Sequence, residues 1–418
     1  MQINQEKLWK NAVRLMPRGT QTLSKCPDQF VDGVYPKFAK KSKGAYLKGL
    51  DNKWYLDFMN GLGPIILGHN HRRTNKAIKR ELKNGIIHSL PTLLEQQLAE
   101  LICEVVPCAE QVRFAKNGTD ANLAAVRIAR SYTKREHVVV CGYHGWGDWH
   151  GVLIRDYGIP KSLKKIVSSF EYNNLKSLEK ELKKRPVAAV IMEPQALTHP
   201  KPGFLEGVRK LCNKYGTLLV FDEVVSGFRW SLGGASEYFG VTPDLCCLGK
   251  ALANGMPLSA ITGKKEYMQE LNHAFFSMTF GGECLSLAAA IETIKELKTK
   301  NYDHIWKLGN MLDEGIKLLA EKYKLKINFA GSAPRHNLTF DSSYKDTAGM
   351  KGLFFQEMVK QGILFPNVIY ISFAHTKKDI NKTIKAADKA FKFVANNINN
   401  IDDVLEGKKS IDIFRKNT

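Results

Sequence analysis

No stretch of this 418-residue chain approaches the run of about 20 apolar residues that a membrane helix needs, so no membrane span is expected. The opening residues, MQINQEKLWKNAVRLMPRG, hold no apolar core followed by a small-residue cleavage site. A secretory leader is therefore not expected either, and the location read from the sequence is cytoplasmic. The eight cysteines include no C-x-x-C pair and no framework spacing, which argues against a disulfide scaffold and a structural zinc site. Several sit in apolar runs, where a thiol behaves as a small core side chain. Internal repeats and low-complexity segments are also missing. Acidic residues are in short supply, 41 against 62 Lys and Arg, for a formal charge of +21. Such an excess suggests nucleic acid. The lysines, however, are spread along amphipathic stretches such as NLKSLEKELKKRP and DINKTIKAADKAFKFV, interleaved with Glu and Asp. No aromatic-studded basic block appears, so no nucleic-acid partner is expected, and an attraction for anionic metabolites is the more modest reading.

The length suggests two or three domains. Residues 1–60 read as an N-terminal segment: an opening helix, a Pro/Gly-bearing stretch, then short strands in KGAYLKGLDNKWYLDFM with a hairpin turn at Asp51-Asn52. Residues 61–305 alternate strands and helices, through EQVRFAKNG, DANLAAVRIARSY, HVVVCGY, VAAVIMEP, EGVRKLCNKYG, TLLVFDEV and DLCCLGKAL. Alternation of this kind implies parallel crossovers and a sheet covered on both faces, hence an α/β domain. Residues 306–418 read as a small α+β C-terminal domain. It closes on VIYISFAHT and a long helix from Lys377, with Thr376 and Asp379 forming a capping box.

In such sheets, ligands collect at the carboxyl ends of the strands. Four residue groups fall there: Asn117-Gly118-Thr119, Tyr143-His144-Gly145, Asp222-Glu223 and Gly249-Lys250. In LLVFDEVVSGFR the strand reads as ending on Asp222, which alone means only that the strand surfaces. Lys250 leaves the buried strand LCCLG; it is either a snorkelling surface lysine or a desolvated amine able to attack carbonyls. Gly118 and Thr119 open a helix, which suits a phosphate cradle or an ordinary N-cap equally. TFGGECLSLAAA repeats that arrangement around Thr279. CGYHGWGDWHG offers an aromatic platform for a planar ring; its two histidines lack the further ligands of a metal site, so no metal is expected. One cofactor needs a nucleophilic lysine, a phosphate cradle, a stacking aromatic and a carboxylate together: pyridoxal 5'-phosphate (PLP).

At these residues the chain resembles class III PLP-dependent aminotransferases, and most nearly their glutamate-1-semialdehyde 2,1-aminomutase-like branch. The likeness runs almost end to end, from KGAYLKGLDNKWYLDF and GPIILGHNH through RFAKNGTDA to SFAHTKKDI. It implies PLP fold type I (aspartate-aminotransferase-like): a large, mostly parallel seven-stranded sheet domain with a small α+β C-terminal domain. It also implies Lys250 as the Schiff-base lysine and Asp222 as the partner of the ring nitrogen. Gly118 and Thr119 match the phosphate loop, although Asn117 and Asp120 replace the commoner Ser and Glu. Tyr143 matches the stacking aromatic with His144 beside it, Val224 the residue on the opposite ring face, and Glu193 an acidic residue near the site. Thr279 matches the threonine that reaches the phosphate of the neighbouring subunit, which implies a homodimer with shared active sites.

Two positions depart from the mutase pattern. Lys25 stands where an arginine would hold the substrate carboxylate, and a lone ammonium cannot make the bidentate fork. Asn367 stands where an acidic residue precedes the final strand. The segment after Tyr157, DYGIPKSLKK, is short and rebuilt where a gating loop is expected. The leading expectation is an aminotransferase with an amino-acid donor such as glutamate and a keto or aldehyde acceptor. The altered carboxylate site and lysine-rich N-terminus leave room for a phosphorylated or sugar-like carbonyl. The alternatives are an intramolecular aminomutase, and an idle fold relic with a binding role; a relic has no physical need for both Lys250 and Asp222.

Overall fold

The computed structural model describes residues 4–410. The chain divides into two compact units, one spanning Arg72–Tyr302 and the other formed by the residues up to His71 together with those from Asp303 onward. In the second of these, strands β1 (Ala39–Lys43), β2 (Tyr46–Gly49) and β3 (Trp54–Asp57) form an antiparallel meander. Asn52, at φ +64°, supplies the left-handed residue that the β2–β3 hairpin turn requires.

The other unit holds seven strands: β4 (Gln111–Ala115), β5 (His137–Cys141), β6 (Val167–Ser169), β7 (Val187–Met192), β8 (Leu218–Glu223), β9 (Leu245–Leu248) and β10 (Ser259–Gly263). Their spatial order is β4-β10-β9-β8-β7-β5-β6. The run from β9 to β6 is parallel, and β10 is antiparallel to both its neighbours. Because β10 reverses, β4 and β9 run in the same direction: Ala115 pairs with Ser259 and Leu248 with Ala260. The carboxyl ends of β4, β9, β8, β7 and β5 therefore share one edge.

Both faces of this sheet are covered, as its unbroken apolar strands require. Leu218 and Val220 join a core with Val138, Val140 and Ile191 under the helix Gly118–Thr133, which contributes Ala121, Ala125 and Ile128. Leu219 and Phe221 join the opposite core with Val139, Val190 and Met192, beneath the helices Leu175–Lys184 and Phe204–Tyr215. Each fully buried Val, Leu or Ile in these layers contributes about 1.5–3 kcal/mol. The period of two along β8 then sends Asp222 to the face under the 118–133 helix and Glu223 to the other.

The remaining strands belong to the same unit as β1, β2 and β3. β11 (Ile327–Ser332), β12 (Arg335–Phe340) and β14 (Val368–Tyr370) form an antiparallel sheet, and β13 (Ile363–Leu364) adds parallel to β3. Thr376 and Asp379 cap the helix Lys377–Asn396, as the sequence suggested.

Candidate active site

The common edge of the seven-stranded sheet gathers most of the residues that the sequence singled out in this unit, Thr279 excepted. Lys250 lies two residues past β9, Asp222 on the adjacent β8 opposite Cys247, Glu193 directly after β7, and Tyr143-His144 after β5. Asn117-Gly118-Thr119 follows β4 and opens the 118–133 helix. Ser259, at the start of β10, donates its hydroxyl to the Asn117 carbonyl (2.7 Å) and ties this turn to the sheet.

Asp222 is the centre of a buried network. It is 5% exposed, so the strand does not surface at this carboxylate as the sequence reading assumed. The β8 strand runs one residue further, through Glu223, and both carboxylates are buried. Asp222 Oδ2 lies 2.8 Å from His144 Nδ1 and accepts from Asn122 Nδ2 at 2.8 Å, while Oδ1 accepts from the Val224 amide at 3.1 Å. His144, fully buried, places its other ring nitrogen 3.1 Å from the Cys141 carbonyl, so both nitrogens face oxygens. Its backbone N–H donates to His150 Nε2 (3.0 Å). Burial, followed by the nearby His144, pushes the His150 pKa down to about 3, leaving that ring a neutral acceptor. Burial and then the Asp222 charge raise the Tyr143 phenol, and the same two causes raise the Cys247 thiol.

Glycines at the edge permit its closest approaches. A Cβ on Gly118 would sit 2.8 Å from both methyls of Val224, and one on Gly249 would sit 3.3 Å from the nearer methyl. The phosphate-loop position and the residue before Lys250 thus close on the same valine. A Cβ on Gly145 would fall 2.2 Å from Thr119 Oγ1, so that glycine lets the Tyr143 loop press onto the helix start. The substitutions Asn117 and Asp120 preserve the helix entrance: they form a capping box in which Asp120 Oδ2 accepts from the Asn117 amide at 2.7 Å. The Gly118 and Thr119 amides, by contrast, donate to nothing among the described residues and stay available.

Lys250 is half-buried and carries φ +40° in the left-handed region, which a non-glycine residue enters at a cost of about 1–2 kcal/mol. The 3-10 turn Lys250–Ala253 holds it there, with the Leu252 amide donating to the Gly249 carbonyl (2.9 Å). Its ammonium has no hydrogen bond or ion pair among the described residues.

The sequence does not single out Asn122, and it groups Glu223 with Asp222 at the strand end without assigning it a role. Asn122 holds Asp222, and the only signal was its polarity on the otherwise apolar inner face of its helix. Glu223, fully buried, accepts from the amides of Ala235 (2.6 Å) and Ser236 (2.8 Å) and from the Ser226 hydroxyl (2.9 Å). It anchors the turn that follows β8, and burial raises its pKa against these hydrogen bonds.

Other expected residues lie elsewhere or on the margin. Tyr143 is 51% exposed, and Glu193 is half-buried, its Oε1 3.3 Å from where a Gly142 Cβ would stand. Thr279 is exposed in the turn before the helix Cys284–Leu297. Lys25 and Asn367 belong to the other unit. Lys25 is exposed at the end of the 3-10 turn Leu23–Lys25. Asn367 directly precedes β14, and its carbonyl accepts from the Leu338 amide at 3.0 Å. In the rebuilt segment Asp156 pairs with Lys164 at 2.8 Å, and Tyr157 is 93% exposed.

This donor set fits PLP. Two unspent amides at a helix N-terminus suit a phosphate. A buried carboxylate oxygen with a single donor has a lone pair for a protonated ring nitrogen, and an unpaired lysine amine suits a carbonyl. Comparison with known proteins agrees. The family model "Aminotransferase class-III" matches residues 31–386. The chain is 36% identical to glutamate-1-semialdehyde 2,1-aminomutase of Natranaerobius thermophilus, over 93% of this chain and 97% of that one. It is also 36% identical to 3-aminobutyryl-CoA aminotransferase of Cloacimonas acidaminovorans, over 91% and 94% respectively. Among solved structures, the FumI protein of Sphingopyxis sp. MTA144, in a PLP-bound form, superposes with a TM-score of 0.88 at 26% identity, covering 97% of this chain and 98% of that one. With motifs, sheet edge and relatives in accord, the chain belongs to the class III aminotransferase family and is a PLP-dependent enzyme.

Proposed function

We propose that this enzyme is an aminotransferase that takes an amino group from an amino-acid donor such as glutamate and delivers it to a keto or aldehyde acceptor, phosphorylated or sugar-like carbonyls included. The observation that carries the reading is Lys250, an unpaired amine in a strained backbone conformation one strand away from the buried carboxylate of Asp222. Bound here, PLP supplies an electron-accepting ring and a carbonyl that takes up the amino group. Lys250 Nζ would hold that carbonyl and would carry a proton to and from the substrate carbon. Asp222 Oδ1 holds the proton of the ring nitrogen. The Gly118 and Thr119 amides bind the phosphate, while Tyr143 and Val224 flank the ring and Glu193 stands near it.

Lys25 and Asn367, carried over from the resemblance, are proposed as substrate-binding residues, Lys25 at the position that meets the substrate carboxylate. In the same reading Thr279 completes the phosphate site of a second copy. Exposed Leu90, Leu93, Phe275 and Phe280, all at least 59% accessible in one unit, support a homodimer. The eight cysteines are unpaired and no helix among the described residues is long and apolar enough to cross a membrane, which supports a cytoplasmic location.

A second reading, an intramolecular aminomutase, is favoured by the 36% identity to a protein of that name. A mutase keeps one substrate through two amino transfers and needs a firm carboxylate grip, whereas a transaminase releases a keto acid before the acceptor enters. L-Glutamate added to the holoenzyme is expected to bleach the visible cofactor band and release one equivalent of 2-oxoglutarate per site. Isomerisation of a single amino-aldehyde, with no keto acid from any common donor, would establish the mutase instead.

A further inference from the structure

We propose that Asn122 is a positioning residue that selects which oxygen of Asp222 is offered to the cofactor's ring nitrogen. The inference rests on the reading that Asp222 faces that nitrogen. Oδ2 of Asp222 is engaged by two side-chain donors, Asn122 Nδ2 and His144, both at 2.8 Å. Oδ1 has only the Val224 amide at 3.1 Å. A carboxylate oxygen accepts about two in-plane hydrogen bonds, so Oδ2 is filled and Oδ1 keeps a place for one more donor. Removing the Asn122 donor evens the two oxygens and frees the carboxylate to turn.

The amide orientation of Asn122 is dictated by its surroundings. Nδ2 faces Asp222 Oδ2 and also the His144 carbonyl at 3.3 Å, two acceptors that would repel an oxygen placed there. The other end of the amide, Oδ1, is left buried without a hydrogen bond among the described residues, on a side chain only 2% exposed. Stranding an acceptor in this way costs stability, and the fold tolerates it while keeping the donor aimed at Asp222. A neutral donor is also the suitable kind, because it orients the carboxylate without cancelling the charge that the ring nitrogen needs.

Helix geometry adds a second consequence. Asn122 lies four residues after Gly118, about one turn, on the helix whose first amides are free. One rigid element therefore presents the phosphate-binding amides and fixes the carboxylate for the other end of the cofactor. The titratable groups around Asp222 are His144, His150, Tyr143 and Cys247, and all of them remain in the variants below.

The test uses holoenzyme loaded with PLP that is 15N-labelled at the ring nitrogen. In the native protein the nitrogen shift is expected to report a protonated ring from about pH 6 to about pH 9. In Asn122→Leu the nitrogen should titrate inside that window, and the cofactor dissociation constant from equilibrium dialysis should rise at least about tenfold. Asn122→Ser, which is smaller and retains a hydroxyl, should show the same changes in weaker form and decides the matter if the leucine variant does not fold or load. Native protonation and native cofactor affinity in the folded variant would overturn the proposal. Asp222→Asn separates the two levels of the argument. If it too leaves the ring nitrogen unmoved, the assignment of Asp222 has failed; if only it moves the nitrogen, the role of Asn122 alone has failed.

Discussion

His150 makes the stability of the PLP-binding unit depend on pH in a direction that can be worked out. Its Nε2 accepts the His144 amide inside a site where the ring is 1% exposed, and its pKa falls from 6.5 to about 3. Below pH 6.5 the unfolded chain takes up a proton that the folded chain refuses. The stabilisation from His150 is thus complete above about pH 6.5 and is lost as pH falls toward 3. The loss runs at about 1.4 kcal/mol per pH unit, so between about pH 7.5 and about pH 5.0 this residue alone removes roughly 2 kcal/mol. His150→Gln keeps a carbonyl to accept the His144 amide but cannot be protonated. Urea unfolding of the cofactor-free proteins at the two pH values, followed by tryptophan fluorescence, gives the comparison. The native protein should lose about 2 kcal/mol more than the variant, and the difference isolates His150 from His336 and His375, whose pKa values burial also lowers to about 4. Equal losses in the two proteins, within about 0.5 kcal/mol, would refute the reasoning, for which the expected difference is several times larger.

Asp222→Glu should retain the fold and lose most activity, because one added methylene shifts the charge by about an ångström, a displacement worth on the order of 100-fold in rate; steady-state kinetics with a common donor checks it. Glu223→Ala strands the Ala235 and Ser236 amides and the Ser226 hydroxyl, and should destabilise by about 2–5 kcal/mol. At roughly 2–4 °C per kcal/mol in a unit of this size, differential scanning calorimetry would resolve it easily. Gly118→Ala drives a Cβ to 2.8 Å from Val224 and should weaken PLP retention in dialysis, whereas the double variant with Val224→Ala should recover part of it.

The chemistry of the site was legible where it sat at strand ends. Lys250 and Asp222 each follow an unbroken apolar run, and a sheet buried on both faces leaves polar groups little place except its carboxyl edge. What could not be read depended on contacts distant in sequence. Asn122 looked like one polar residue on a helix until the fold brought it against Asp222, 100 positions away. The role of Glu223, named beside Asp222 at the strand end, is not legible because nothing local shows that the amides of Ala235 and Ser236 return to meet it. The helix start at Gly118-Thr119 is readable locally, although the sequence leaves cap and phosphate cradle open there, whereas β10 is not legible: SAITG is five residues long and its reversal is visible only in its pairing with β4 and β9. The strained backbone of Lys250 left no mark in the sequence at all. The hairpin at Asp51-Asn52 and the capping box at Thr376 and Asp379 were legible because their determinants lie within four residues.

The central claim is that Lys250 holds the cofactor, and borohydride reduction of the holoenzyme followed by peptide mass spectrometry tests it most directly. The pyridoxyl mass is expected on the peptide that carries Lys250, with none fixed in a folded Lys250→Ala variant whose turnover is down by several orders of magnitude. A pyridoxyl group on any other lysine, or near-native turnover in that variant, would contradict the account.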